Sequence, residues 1–520
     1  MAFGYVVSDR NQLILMPTSM QEWLDEGHLA WFVIDVVTRI DTSALHARHP
    51  NDGPGRPAYD PDMMLALLFY AYCMGTRSSR RIERLCITDA AHRVICANAT
   101  PDHATIARFL VDHETAIEGV FIEVLRLCVA AGLVSVGTIA IDGTKIGADA
   151  ALDANRNTDA IRAEVARILD EAKSTDVTED SQPELFGGDT LPSDLATRSG
   201  RMARLDAALA KIEADEAADK QDAEHKAAVA REAAEEGHKL RGAKPKDPHA
   251  ALARAEIDYS VMAGRFAAKQ GAWQAKADAK AAQGQVMAGP RPAPNAKLRS
   301  AITKLEAARA LVANTTEVPA EKFVANTTDP ESRIMKTKTG FIQGYNAQAA
   351  VNENQIVIAG AVTQEGNDVR QYQPMVTATQ AALLSAGVTT QIGVILGDAG
   401  YWSDHNASAD GPDRLIATLK DHKQRAAARK LGTTTGPAPE GSSTLEAMEH
   451  RLRTPEGAAL YAKRSHTVEP VFGDLKENRG FRRFRRRGLK AVQSEWAMMN
   501  ISHNLAKLFS HQNATGLATT

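Results

Sequence analysis

The chain is sparing with cysteine. Its 520 residues hold four, Cys73, Cys86, Cys96 and Cys128, far apart and with no Cys-x-x-Cys pair. That spacing suggests neither a zinc site nor a disulfide framework, and makes a reducing cytosol the expected setting. Long apolar runs are missing too: the longest, MMLALLFYAYCMG from Met63, falls short of the roughly 20 residues that a membrane span needs. The N-terminal residues carry no basic-then-apolar secretory pattern, so a soluble protein is expected. Overall charge of one sign is also lacking, at −3 net.

That near-neutral total hides an uneven distribution. Residues 151–200 hold 11 Asp/Glu against 5 Lys/Arg, whereas residues 463–490 hold 10 Lys/Arg against 3 Asp/Glu. A local basic cluster on a near-neutral chain is the electrostatic footprint of a phosphate-binding surface. A charge run taken alone reads equally as a solvated helix face. Here Phe481 and Phe484 interleave with Arg479, Arg482, Arg483, Arg485, Arg486 and Arg487. The bias to arginine favours phosphate, which guanidinium groups grip in bidentate fashion.

The length allows about two to four domains. Residues 1–130 read as a helical N-terminal domain. In SMQEWLDEGHLAWFVIDVV, Trp23, Leu24, Trp31, Phe32 and Val36 recur at helical spacing, and Pro54, Pro57 and Pro61 then punctuate a loop. A second apolar helix starts at Met63. Two short amphipathic segments follow, SSRRIERLC and PDHATIARFLVDH, with Arg77, Arg80, Arg81, Arg84 and Arg108 on their edges. DNA binding or plain packing both fit this module.

At VSVGTIAIDGTKI the texture changes to a β-branched run, read as a buried strand that ends at Asp142. Residues 151–332, rich in Ala and charged side chains, read as a helical insertion. Helices are expected over 200–240 and 297–313, where Leu298, Ile302, Leu305 and Val312 form a thin stripe, with turns at PELFGGDTLPSD and GPRPAPN. Residues 343–364 read as a hairpin turning at Asn352–Asn354, followed by a helix over 371–385. TQIGVILGDAGYW reads as a strand ending in Asp398, RLIATL as one more strand, and the segment from Tyr461 as helix. The last ten residues, 511–520, read as a flexible tail.

Two strands that each deliver an aspartate at the C-terminal end suggest chemistry, because reacting groups gather at the carboxyl ends of adjacent strands. Two bare carboxylates held close repel, and unless they share a proton they need a cation between them. Hard oxygen ligands select Mg²⁺ or Mn²⁺. A third carboxylate from a helix would complete a two-metal site for phosphodiester chemistry. Glu469 is the candidate, read near a helix start where Pro470 is tolerated, with Lys476 two turns on to hold a phosphate. Asp368 in EGNDVRQYQP reads as a helix N-cap, and Asp474 and Glu477 face away. Singly, Asp142 and Asp398 fit turns and Glu469 fits an arginine partner.

IDGTKI, LGDAGYWS and YAKRSHTVEPVFGDLKENRGFRRFRRRG together resemble the three acidic motifs of DDE transposases of bacterial insertion sequences. They resemble the subgroup with a Tyr, Arg, Glu, Lys signature, on Tyr461, Arg464, Glu469 and Lys476. Four residues separate Arg464 from Glu469 where three are usual. RPAYDPDMMLALLFYAYCMGTRSSRRIERLC is similar to the group's helical N-terminal domain, and GYNAQAAVNENQIVIAG to its hairpin. The resemblance implies an α/β fold: an RNase H-like core, residues 131–150 and 333–510, interrupted by the insertion. It implies Asp142, Asp398 and Glu469 as catalytic acids that hold Mg²⁺ or Mn²⁺, two ions per site. It also implies DNA contacts by Tyr461, Arg464 and Lys476, cleavage at terminal inverted repeats, transfer of the freed 3′ end to target DNA, and homo-oligomers on DNA at the bacterial nucleoid. A silent DNA-binding repressor and a nuclease without strand joining are the alternatives.

Overall fold

The computed structural model describes residues 19–47, 58–175, 198–235, 248–286, 289–313, 323–420 and 430–515, with positions 423 and 426 between the last two. Pro54, Pro57 and the PELFGGDTLPSD segment lie outside the described residues. Contacts divide the chain into two compact units, Met1–Ala154 with Thr328–Thr520, and Asn155–Thr327.

The first unit begins with seven helices among its described residues: α1 Leu29–Arg39, α2 Ser43–His46, α3 Pro61–Cys73, α4 Ser79–Thr88, α5 Ala90–Ile95, α6 His103–Asp112 and α7 Glu114–Ala130. The helix expected from Ser19 is shorter than the pattern implied. Ser19 caps only a 3-10 turn, Met20–Glu22, and α1 starts afresh after Gly27, with His28 Nδ1 accepting from the Ala30 N–H at 3.1 Å. Trp23 and Leu24 therefore lie ahead of α1. Pro61 is the first residue of α3 rather than part of a loop, capped by Asp60; a proline costs nothing there because that N–H has no helical acceptor. α3 is buried all round, as a helix without a polar face must be.

Six strands form one mixed sheet: β1 Thr138–Gly147, β2 Arg333–Thr337, β3 Gly340–Asn352, β4 Val357–Thr363, β5 Val394–Gly397 and β6 Asp413–Ile416. The order is β2-β3-β1-β5-β6, with β4 also paired to β3. β1 runs antiparallel to β3 and parallel to β5, which runs parallel to β6. β1 does not end at Asp142 as expected, because its pairing with β3 continues to Gly147. The remaining helices are α8 Tyr372–Ser385, α9 Asp404–Ser408, α10 Thr444–Leu452, α11 Pro455–Ala462, α12 Arg464–Gly473 and α13 Leu489–Thr515. α13 carries on through residues read as a tail, up to Thr515.

Strand alternation divides the core between the sheet's two faces. Ala140 and Ile146 share a cluster with Val468 and Val471 of α12 and Trp496 and Met498 of α13. Ile139 and Ile141 share one with Tyr372, Met375 and Val376 of α8. This mixed α/β arrangement, with a helical N-terminal part, is compatible with an RNase H-like core. The second unit is helical among its described residues, with Thr158–Thr175, Arg198–Glu235, Pro248–Ala281 and Ala296–Ala313, and a two-stranded pairing of Asn155–Arg156 with Ala325–Asn326. Of the expected stripe, Leu298 and Leu305 are buried, with Ala301 between them.

A buried ion pair ties the N-terminal helices to the arginine-rich segment. Arg77 Nη1 donates to Glu495 Oε1 and to the Arg483 carbonyl, each at 2.7 Å. Glu495 also accepts the N–H groups of Arg485 and Arg486, and Arg77 lies 4.6 Å from the Phe481 ring centroid. Glu495→Ala leaves a buried guanidinium and two N–H groups without their acceptor. We expect a loss of about 3–5 kcal/mol, read as a lower denaturant midpoint; a wild-type midpoint would refute this role for Glu495.

Candidate active site

The pairing of β1 with β5 sets the first two acids side by side. Thr138 faces Val394 and Ile141 faces Gly397, so one further step in the same parallel register brings Asp142 level with Asp398. β5 stops there while β1 runs on. Each carboxylate is held by a nearby backbone donor: Asp142 Oδ1 by the Gly143 N–H at 2.9 Å, and Asp398 Oδ1 by the Gly400 N–H at 2.8 Å. Burial pushes the Asp142 carboxyl up to about 7, with Arg464 opposing the rise and Asp398 adding to it.

Glu469 comes from α12, on the face of the sheet that Asp142 shares with Ala140. It lies within α12 rather than near its start, so Pro470 is an internal helix proline. Arg464 is the first residue of α12 and almost fully buried. Its Nη2 lies 2.6 Å from Asp142 Oδ2 and its Nη1 lies 3.4 Å from Glu469 Oε1. The guanidinium thus bridges two of the three expected acids. Tyr461 is half-buried near the end of α11. Past Gly473 the helix widens into a π turn, Asp474–Asn478, which turns Lys476 toward β1: its Nζ donates to Thr144 Oγ1 and, at 2.9 Å, to the Lys145 carbonyl. Asp474 pairs with Arg479 and His503, and Glu477 with Arg482, so neither faces Asp142.

A fourth carboxylate stands here that the sequence reading assigned to capping. Asp368 precedes a 3-10 turn, but its side chain makes no cap hydrogen bond. Instead Oδ1 accepts from Asn346 Nδ2 at 2.7 Å and Gln348 Nε2 at 2.8 Å, and lies 3.7 Å from Lys145 Nζ. The Tyr401 hydroxyl donates to Gln348 Oε1, which fixes the amide with its nitrogen toward Asp368. The signal was present in the sequence as polar Asn346 and Gln348 at alternate positions of the stretch 345–351, whose other residues are Tyr, Ala and Val.

The arginines divide into two groups. Arg479 pairs with Asp474, Arg486 with Glu114, and Arg487 with Asp149 at 2.7 Å, all with largely covered side chains. Arg482, Arg483 and Arg485 are exposed. Phe481 and Phe484 are fully buried, facing Tyr72 and Tyr345, so they anchor this segment in the core. Backbone hydrogen bonds of Gly147 with Arg482 and Phe484 dock the same segment on the end of β1.

The donors present suit a hard divalent cation. Asp142, Asp368, Asp398 and Glu469 supply only oxygen, and Arg464 and Lys145 are cations in contact with them. The four do not close on one point: among the described residues the one triad of such ligand atoms within 4.8 Å is His46, Asp60 and Asp62. Arg464 fills the space between Asp142 and Glu469.

Two stretches match known protein families. Residues 420–509 match a model described as a transposase DDE domain, and residues 18–112 one described as a transposase domain (DUF772). The first covers Glu469, Arg464 and Lys476, and the second covers α1 to α6. These matches support a DDE transposase family. No curated protein and no solved structure matches the chain. Among the described residues no helix is long and apolar enough to cross a membrane.

Gly143 is required by close approach. A Cβ there would lie 2.3 Å from Gln348 Nε2 and 2.5 Å from Asp368 Oδ1. Gly143→Ala is therefore expected to cost about 1–3 kcal/mol through overpacking. Chemical denaturation checks this, and an unchanged midpoint would show that the amide and carboxylate have room to move.

Proposed function

We propose that the protein is a DNA transposase that binds the terminal inverted repeats of an insertion sequence and cuts and joins DNA strands on an RNase H-like core. The register that sets Asp142 beside Asp398, with Glu469 linked to Asp142 through Arg464, is the main support. It occurs in a chain whose two ends match transposase families. Asp142, Asp398 and Glu469 would hold Mg²⁺ or Mn²⁺, as two ions, which when bound supplies Lewis-acid activation of a phosphodiester. Arg464 and Lys476 offer positive charge to a phosphate beside the acids. Arg482, Arg483 and Arg485 follow at the far end of β1, roughly 17 Å from Asp142 along the strand, where they would grip the backbone of the same duplex. Tyr461 would add a contact on the Arg464 side, and Arg479, Arg486 and Arg487 would hold the segment through their ion pairs. Paired DNA ends call for a homodimer or larger assembly, acting at the nucleoid.

Incubating the protein with a supercoiled plasmid carrying the element's ends, with and without Mg²⁺, separates binding alone, cleavage alone, and cleavage with joining. We expect the last. Glu469→Gln should bind the ends as wild type does and lose cleavage by more than the roughly 10–100-fold that an outer-shell partner is worth. Wild-type cleavage by this variant, or by Asp142→Ala, would overturn the reading.

The arginines give a separate expectation. Replacing Arg483 and Arg485 by Ala should weaken binding to the ends and reduce the slope of log K against log salt by about two. Arg486→Ala should act mainly on stability, through loss of Glu114 as partner. Binding isotherms across a salt series check this, and an unchanged slope would count against a phosphate grip.

A further inference from the structure

We infer that Asp368 is a fourth carboxylate of the cation-holding cluster, offering its Oδ2 beside Asp398. The inference rests on the proposed metal-dependent reading of the site and adds a ligand to it. Three observations carry it. First, the two oxygens of Asp368 are used differently. All its hydrogen bonds from Asn346 and Gln348, and the approach of Lys145, fall on Oδ1. A metal-ligating carboxylate held by outer hydrogen bonds on one oxygen keeps the other oriented for the ion.

Second, the space beside Oδ2 is kept open by a glycine. The position that a Gly400 Cβ would occupy lies 3.2 Å from Asp368 Oδ2 and 2.9 Å from Asp398 Oδ1. Both oxygens border the position that a glycine leaves without a side chain. Third, Asn346 is fully buried and its Oδ1 has no hydrogen-bond partner. That oxygen lies 3.0 Å from where a Gly143 Cβ would be, a position that Asp368 Oδ1 approaches to 2.5 Å, on the face of β1 opposite to the Asp142 side chain. A buried unpaired acceptor at the edge of an acidic cluster is expected where a hydrated cation belongs.

The plainer role for Asp368 is as counter-ion to Lys145. It accounts for the contact at Oδ1, but not for an acid turned toward Asp398 rather than away from it. The two roles differ in what Asp368→Asn does. As a counter-ion only, the change alters stability and leaves metal affinity alone.

The test is direct metal binding to the full-length protein. Mn²⁺ is titrated into wild type, Asp142→Asn and Asp368→Asn, with free Mn²⁺ followed by electron paramagnetic resonance. Thermal midpoints are taken with and without the ion. We expect Asp368→Asn to weaken Mn²⁺ binding by at least about 10-fold and to lose most of the Mn²⁺-induced rise in midpoint, as Asp142→Asn does. If Asp142→Asn loses binding while Asp368→Asn matches wild type, Asp368 is not a ligand and the metal-dependent reading survives. If wild type binds no Mn²⁺, or Asp142→Asn binds as well as wild type, both fall together. Gly400→Ala provides the same readout should Asp368→Asn not fold: the added methyl fills the gap, and wild-type Mn²⁺ affinity in that variant would overturn the inference.

Discussion

Four residues of parallel pairing, Thr138–Ile141 against Val394–Gly397, decide where everything else in the site lies. The side chains along both segments are buried, and the register is continued backward by the Gly393 N–H to the Val136 carbonyl at 2.8 Å and the Val394 N–H to the Gly137 carbonyl at 3.0 Å. A slip of one residue would turn Ile139 and Ile141 from the α8 side to the α13 side and separate Asp142 from Asp398. Burial of apolar side chains on both faces therefore fixes the distance between two polar ones. The acids sit where β5 gives out, and only there does the sheet leave room beside β1 for groups from the loops.

Gathering four acids at that edge carries an electrostatic cost that the chain offsets locally. Arg464 reaches Asp142 and Glu469, and Lys145 reaches Asp368. Each cation shares an element with one acid of the group: Lys145 lies three residues after Asp142 on β1, and Arg464 heads the helix that carries Glu469. The same economy appears at the arginine-rich segment. Six closely spaced guanidinium groups would repel one another, yet four are drawn into ion pairs, with Asp474, Glu477, Glu114 and Asp149, and the backbone between them is held by a single buried acid, Glu495. What remains outward is a small set of exposed arginines on a rigid base.

Much of this was legible in the sequence. Strands announced themselves by β-branched runs, and each brought its acid to the site because the parallel register follows from burial. Glu469 and Arg464 were singled out by their motif, and the structure sets them in contact. Harder to read was anything set by a partner distant in the chain. β1 outlasts Asp142 because β3 pairs with it to Gly147, which no local pattern declares. Asp368 passed for a cap because capping draws on the same residue type; only the amides of Asn346 and Gln348, 22 and 20 positions before it in the chain, show that its side chain is held elsewhere. Phe481 and Phe484, interleaved with arginine, suggested a nucleic-acid surface, but they point inward to Tyr72 and Tyr345. Alternation along an irregular segment does not say which side is the core.

Pro470 shows how such distant partners serve the site. Within α12 it has no N–H to give to the carbonyl of His466, four residues earlier, which a regular helix would leave unpaired. Gln355 supplies the missing donor: its Nε2 lies 2.8 Å from that carbonyl. Gln355 belongs to the turn between β3 and β4 and has a left-handed backbone, φ 63°, uncommon for a residue other than glycine. Its conformation is held from α13, where His503 Nε2 lies 2.9 Å from its carbonyl and the Lys507 ammonium donates to its Oε1. The other ring nitrogen of His503 contacts Asp474, the first residue of the π turn. The hairpin tip, the terminal helix and the turn that aims Lys476 are thereby joined around the helix bearing Glu469. A proline next to the third acid would otherwise loosen that helix; with Gln355 in place, it makes the orientation of Glu469 depend on the sheet that carries Asp142.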